Sequence, residues 1–254
     1  MEKVLNVYKP VGVTPLNAVQ KIKEVYPELK RRKIGYAGRL DPMAEGVLLL
    51  LIYPETKKRE HYQKLDKKYE FTALFGISSD SYDILGFPEI HSGHSTIDKG
   101  QLTEILKSMT GSLTQTLPRY SSYRIKGKPL FWWALQNKLN NIKLPQKQVT
   151  IFNIRLKSLG NIDSVKLEST ILERLTKVKG NFRQQETLLR WKNIFRETKL
   201  STFQTAKFEI HCSSGTYIRS IVNEIGLESE VGALTLNLKR ISVGNYTYQN
   251  SVYL

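Results

Sequence analysis

Two short segments carry residue types able to do chemistry. The first, Gly35-Tyr36-Ala37-Gly38-Arg39-Leu40-Asp41-Pro42-Met43-Ala44-Glu45-Gly46, sets one carboxylate between an apolar residue and a proline. The apolar run 47–52 (VLLLLI) follows at once, so Asp41 is expected on a rigid edge rather than on a mobile tip. A carboxylate so held is presented in a fixed position to a neighbouring molecule, or it can merely cap the local turn, as Asp-Pro often does. The second segment, His211-Cys212-Ser213-Ser214-Gly215-Thr216-Tyr217-Ile218-Arg219, ends a strand, turns at Gly215 and enters a helix. A helix N-terminus beside an arginine favours anionic groups, whereas the plain reading of Arg219 is a solvated helix face. Each segment alone leaves both readings open.

Other chemistries are less well supplied. His91 and His94 stand in a polar loop without nearby cysteine or carboxylate ligands, which argues for solvent exposure rather than a metal site. No glycine-rich phosphate motif occurs, so no nucleotide cofactor is expected, nor any other. The single Cys212 excludes an internal disulfide framework and fits a reducing cytoplasm.

The elements that must position these residues follow from periodicity. Thr14-Pro15 opens a helix with a hydroxyl cap and proline in the first turn, and Leu16, Val19, Ile22 and Val25 form its predicted apolar stripe. Residues 47–52 read as a strand buried on both faces, and Tyr69, Phe71, Ala73 and Phe75 as one face of another. Leu102, Ile105, Leu106 and Met109 mark a helix closed by Gly111. Strands at 149–158 and 205–211 flank two basic helices over about 163–198, broken at Gly180-Asn181. Ile218, Ile221, Val222 and Ile225 give a further helix, ended by Gly226. Strands and helices mix without a βαβ rhythm, which predicts an α+β fold.

The 254 residues carry 39 Lys+Arg against 23 Asp+Glu, a formal net charge of +16. The excess sits largely in 121–200, with 17 basic against 5 acidic residues, and in the cluster Lys30-Arg31-Arg32-Lys33. Phosphate neutralisation uses such groups, so nucleic acid is the favoured partner over a plain solubilising surface. No run of about 18 apolar residues exists, so no spanning helix is expected, and nothing at the N-terminus resembles a secretory signal. Phe131, Trp132 and Trp133 are interleaved with Arg124, Lys126, Lys128, Lys138, Lys143 and Lys147. Aromatics beside cations suit RNA stacking, although core packing is the commoner fate of such a triplet.

Four ordered blocks resemble the bacterial TruB-type tRNA pseudouridine synthases, which isomerise the uridine at position 55 of the T-loop. They are Lys9-Pro10-Val11-Gly12-Val13-Thr14; Gly38 to Leu48, followed by Lys67-Lys68-Tyr69 and Ser79-Asp80-Ser81-Tyr82-Asp83; Pro118 to Gly127; and Gly215-Thr216-Tyr217-Ile218-Arg219 with Leu238-Lys239-Arg240. The match spans about 5–158 and 203–244. The resemblance implies the pseudouridine synthase fold, with a mixed, mostly antiparallel central sheet flanked by helices and loops.

The same resemblance implies roles. Asp41 falls on the catalytic nucleophile, Arg219 on the arginine that pairs with it, and Tyr69 on the tyrosine that stacks on a flipped base. Tyr217 and Leu238 fall on substrate-pocket positions, and Lys9-Pro10 on a pocket-supporting strand where core packing competes. Tyr36 stands where the family carries a base-extruding histidine, so either Tyr36 takes over by stacking or activity weakens. The chain is expected to be one catalytic domain over 1–254 without the C-terminal PUA barrel, acting on tRNA as a cytoplasmic monomer. A basic insertion at about 160–200, which typical members lack, is expected to supply tRNA contacts. A non-catalytic tRNA-binding or folding factor, and a glycosylase releasing free base, are the rival readings.

Overall fold

The computed structural model describes residues 3–91, 96–139 and 142–254. The chain opens with β1 (Val4–Lys9) and α1 (Pro15–Val25). Thr14 caps α1 as expected: its hydroxyl accepts from the Asn17 N–H at 3.2 Å, and Pro15 lies in the first turn. The predicted stripe holds only in part. Ala18, Val19 and Ile22 are buried, but Leu16 and Val25 are exposed. The offset of nine positions from Leu16 to Val25 spans about two and a half turns, so three-residue steps carry the pattern to the opposite side of the helix.

Two paired strands follow, β2 (Ile34–Ala37) and β3 (Ala44–Ile52), and the Asp41 segment connects them. β3 is buried on both faces, as its composition predicts. Leu48 and Leu50 pack toward α1, whereas Val47, Leu49 and Leu51 cluster with Ala37 and Val243. Next come α2 (Arg59–Lys64) and β4 (Lys67–Phe75), whose Tyr69, Phe71, Ala73 and Phe75 share one core face. β5 (Ile77–Ser79) and β6 (Pro88–Ile90) form a small hairpin that ends at His91. The expected exposure of His91 is not found. It is half-buried, with Nε2 2.9 Å from the Ser78 hydroxyl, because the hairpin folds it back over Gly76. His94 lies outside the described residues, and among those described no group of His, Cys, Asp or Glu is arranged to hold a metal ion.

α3 (Lys99–Ser108) buries Leu102, Ile105 and Leu106, and β7 (Gly111–Thr116) begins at the glycine expected to close it. β8 (Arg124–Ile125), β9 (Lys128–Pro129) and α4 (Leu130–Leu135) form an excursion that carries the aromatic triplet. The triplet lies outside the core: Phe131 is exposed, Trp132 and Trp133 are half-buried, and Lys128 and Lys138 lie 5.5 and 6.0 Å from the Trp132 ring centroid.

The two strands predicted at 149–158 and 205–211 are the middle of a longer ribbon, β10 (Gln146–Asp163) and β11 (Thr202–Cys212). Pairing continues to Asp163–Thr202, beyond where side-chain alternation is legible. The ribbon carries at its tip α5 (Ser164–Thr176) and α6 (Gln184–Glu197), the two basic helices expected there. α7 (Ile218–Glu228) then runs through Gly226 rather than stopping at it. Gly226 serves close packing instead, since a Cβ there would stand 2.2 Å from the Ala233 nitrogen. β12 (Ala233–Val243), β13 (Tyr246–Thr247) and β14 (Val252–Tyr253) complete the chain.

The main sheet has the order β14-β1-β3-β12-β4-β11-β10-β7, with β2 added beside β3 and β13 beside β12. Only β1/β14 and β3/β12 run parallel, so the sheet is mixed and mostly antiparallel. One face packs under α3 and α7. The other is covered by α5 and α6, whose Leu167, Ile171, Leu175 and Trp191 meet Leu74, Leu234 and Leu236. Among the described residues no helix is long and apolar enough to cross a membrane.

Candidate active site

The β2–β3 connection brings Asp41 to the N-terminal end of α7, where Arg219 sits in the first turn. The Arg219 Nε donates to Asp41 Oδ2 at 2.9 Å, and its guanidinium also donates to the carbonyls of Ser81 and Tyr120. Asp83 Oδ2 lies 3.6 Å from the same Nε. Arg219 is only 4% exposed. Burial opposes its charge, but Asp41 and Asp83 outweigh that and hold the guanidinium above its ordinary pKa. Asp83 is itself buried, which pushes its carboxyl up, while Arg219 and the Ser81 hydroxyl at 2.6 Å pull it back. Asp41 thus shares one fully buried cation with a deeper carboxylate, and it is the member that keeps contact with solvent.

A cavity of about 480 Å³ opens at this pair. Asp41, Tyr69, Tyr217, Arg219 and Leu238 all line it, five of the residues singled out by sequence. Burial pushes up the phenols of Tyr69 and Tyr217, so both keep their protons at neutral pH. Tyr217 is fixed through its backbone, whose N–H donates to Gln115 Oε1 at 2.7 Å while its carbonyl accepts from Gln115 Nε2 at 3.0 Å. A second cavity, of about 240 Å³, shares Arg39, Leu40, Asp41 and Arg219 and runs toward Phe131, Leu135 and Phe182.

Lys9 and Tyr36 line neither cavity. Lys9 is wholly buried, donating to the carbonyls of Pro10 and Val13 at 2.9 and 2.7 Å, and burial pulls its pKa down to about 7. Tyr36 packs against the cluster around Leu48 and Leu50, and its hydroxyl accepts from Arg39 at 3.1 Å. It therefore reaches the site only through Arg39, which lines both cavities.

Three contributors were not assigned by sequence reasoning. Asp83 stood in a quoted block without a role. Arg240, 1% exposed on β12, clamps the Asp41 loop by donating to the carbonyls of Val47, Arg39 and Gly38 at 2.7, 3.3 and 2.9 Å. Lys67, buried at the cavity wall with its pKa drawn down to about 8, completes a cationic rim. For Arg240 the available signal was its place in alternation with the inward-facing apolar residues of the strand ALTLNLKRISV, where Leu234, Leu236 and Leu238 precede it at steps of two.

A mixed sheet with a carboxyl–guanidinium pair at a helix end fits several chemistries, and comparison with known proteins narrows them. A crystal structure of a Cbf5-Nop10-Gar1 complex superposes with a TM-score of 0.60 at 19% identity, covering 99% of this chain and 52% of that one. The fold is that of the pseudouridylate synthases. The family model for TruB family pseudouridylate synthase (N terminal domain) matches residues 26–173. The chain is 29% identical over 248 residues to tRNA pseudouridine synthase B of Thermosipho melanesiensis and 30% identical over 254 residues to that of Clostridium novyi. It spans 66% and 71% of those two proteins, with 98% and 100% of its own length aligned. The chain belongs to the TruB family of pseudouridylate synthases, enzymes that isomerise uridine in tRNA.

Proposed function

We propose that this chain isomerises one uridine of tRNA to pseudouridine, at position 55 of the T-loop, with Asp41 as nucleophile. The observation that carries the reading is the Asp41–Arg219 pair, 2.9 Å apart at the mouth of a cavity walled by Tyr69 and Tyr217. The net change is that the N1–C1′ bond breaks, a C5–C1′ bond forms, C5 gives up its proton and N1 gains one. Asp41 takes up the electron-poor carbon while the base turns, Arg219 holds and aims the carboxylate, and Tyr69 stacks on the extruded ring. A uridine inside a folded loop must leave its stack to reach Asp41, at a cost of a few kcal/mol that phosphate and stacking contacts offset. The rim of Lys64, Lys67 and Lys147, and the cations over Trp132, support that supply. The one cysteine, buried, supports a reducing cytoplasm, and we take the enzyme to act there as a monomer.

The test is incubation with a uridine-containing tRNA transcript followed by nucleoside analysis at each loop position. Pseudouridine at the T-loop uridine is expected; free uracil would indicate a glycosylase, and neither product a non-catalytic binder. Asp41→Ala is expected to bind tRNA with unchanged affinity yet convert nothing. It should fold, because Arg219 retains Asp83 as a counter-charge. Residual turnover in that variant would remove Asp41 from the mechanism.

A further inference from the structure

The α5–α6 hairpin is basic, yet three of its contacts point inward, at the loops that carry Asp41 and Arg219's partners. Arg174 leaves the last turn of α5, and its Nη2 donates to the Met43 carbonyl at 3.1 Å, two residues past Asp41. Its Nε is sealed from solvent with no acceptor among the described residues. Arg174 is half-buried, and among the described residues its guanidinium has the Met43 carbonyl as its one hydrogen-bond acceptor, so the contact on the Asp41 loop is what the side chain makes.

The turn between the helices makes the second contact. The Lys179 N–H donates to the Gly12 carbonyl at 2.9 Å, and the Gly12 N–H donates to the Pro42 carbonyl at 2.8 Å. Gly12 has φ +84°, and a Cβ on it would stand 2.0 Å from the Lys177 carbonyl oxygen, so the turn lies directly on this backbone. The third contact is Arg183, whose Nη2 is 3.1 Å from Asp80 Oδ2 and whose guanidinium stacks 4.4 Å from the Tyr120 ring centroid. The Tyr120 hydroxyl donates to the same Asp80 oxygen at 3.0 Å, and the Tyr120 carbonyl accepts from Arg219 at 3.2 Å.

We propose that the α5–α6 hairpin is a positioning element of the isomerisation site. Arg174 holds the Asp41 loop through Met43, and Arg183 holds Arg219 through Asp80 and Tyr120. Neither arginine touches the reacting atoms. Arg174 acts on the Asp41 side of the 2.9 Å carboxylate–guanidinium contact, and Arg183, which lines the second cavity, acts on the Arg219 side. This inference rests on the isomerase reading above.

The experiment compares full-length wild type with Arg174→Met, Arg174→Lys and Arg183→Gln. The readouts are the single-turnover rate of pseudouridine formation at saturating enzyme, the tRNA Kd from filter binding, and the folded fraction from circular dichroism. A misplacement of about 1 Å can cost on the order of 10²-fold, so Arg174→Met should lose about that in rate, with Kd within about threefold. Arg174→Lys, which keeps a charged donor, should recover about tenfold of that loss, and Arg183→Gln should lose about tenfold in rate alone. Because Arg183 is partly exposed, its variant keeps the test standing if Arg174→Met fails to fold. Rates within about threefold of wild type in Arg183→Gln and in any folded Arg174→Met overturn the inference, as does a rate loss matched by an equal loss of tRNA affinity. Lysine rescuing no better than methionine also overturns it. Wild type that converts no uridine overturns the isomerase reading beneath it; active wild type with unaffected variants overturns this inference alone.

Discussion

Lys9 sits far from its ordinary chemistry. It is buried under the first loop with two carbonyl acceptors, and desolvation pulls its pKa from 10.5 down to about 7, with Asp41 opposing. In the unfolded chain the group titrates near 10.5. Below about pH 7 both states carry the charge, and the full burial cost is present. Between about 7 and 10.5 the folded protein has shed a proton that the unfolded chain retains, so stability rises with pH across that window. Lys9→Met abolishes this dependence. The stability of Lys9→Met relative to wild type should therefore fall as pH rises from 6 to 9.5, by on the order of 3 kcal/mol in urea denaturation. Parallel curves for the two proteins would show that Lys9 keeps an ordinary pKa. At this scale the sequence made Asp41, Tyr69 and Arg219 legible, because unusual residue types stood in ordered blocks. Asp83 and Arg240 were not legible as site members. What makes them part of the site is, for Asp83, a partner shared with Asp41 and, for Arg240, carbonyls of the β2–β3 segment, which lies far from it in the chain.

The elements were legible where one local signal decides them. Thr14-Pro15 specifies the start of α1 by capping, and the unbroken run at 47–52 specifies a strand buried on both faces. They were less legible where packing overrides the local signal. α7 passes through Gly226 because β12 approaches there, and the β10–β11 ribbon extends by pairing alone. α6 offers a test of how firmly the hairpin is seated. Trp191 is fully buried on it and its Nε1 donates to the Ile84 carbonyl at 2.9 Å, one residue beyond Asp83. Trp191→Phe keeps a ring in the cluster but strands that carbonyl, an effect worth about 1–3 kcal/mol, against about 3–5 for truncation to alanine. Urea unfolding of Trp191→Phe should show a lower midpoint with an unchanged m-value. An unchanged midpoint would mean that α6 packs only loosely on the segment carrying Asp83.

At the scale of the whole molecule the question is where the charge of +16 faces. The hairpin carries nine Lys+Arg between Lys166 and Lys199, and the sequence led to the expectation that this insertion supplies tRNA contacts. Four are engaged: Arg174 on Met43, Lys177 on Glu173, Arg183 on Asp80 and Arg190 on Glu186. The other five, Lys166, Lys179, Lys192, Arg196 and Lys199, are exposed, and among the described residues none has an acidic partner within 4 Å. The hairpin covers the sheet face opposite α7, so only part of this set can reach a tRNA seated over Asp41. Each phosphate neutralised adds about 0.7–0.9 to the slope of log K against log salt. Replacing all five by Gln should therefore flatten that slope by about 1–3 while leaving the single-turnover rate at saturating enzyme within about threefold, since none of the five side chains props the site. Filter binding between 50 and 200 mM salt (roughly the range where such slopes are linear) would measure it. A slope identical to wild type would put the hairpin's outer cations away from the RNA, and would leave the basic clusters at 30–33 and 124–147 as the charge that meets the phosphates.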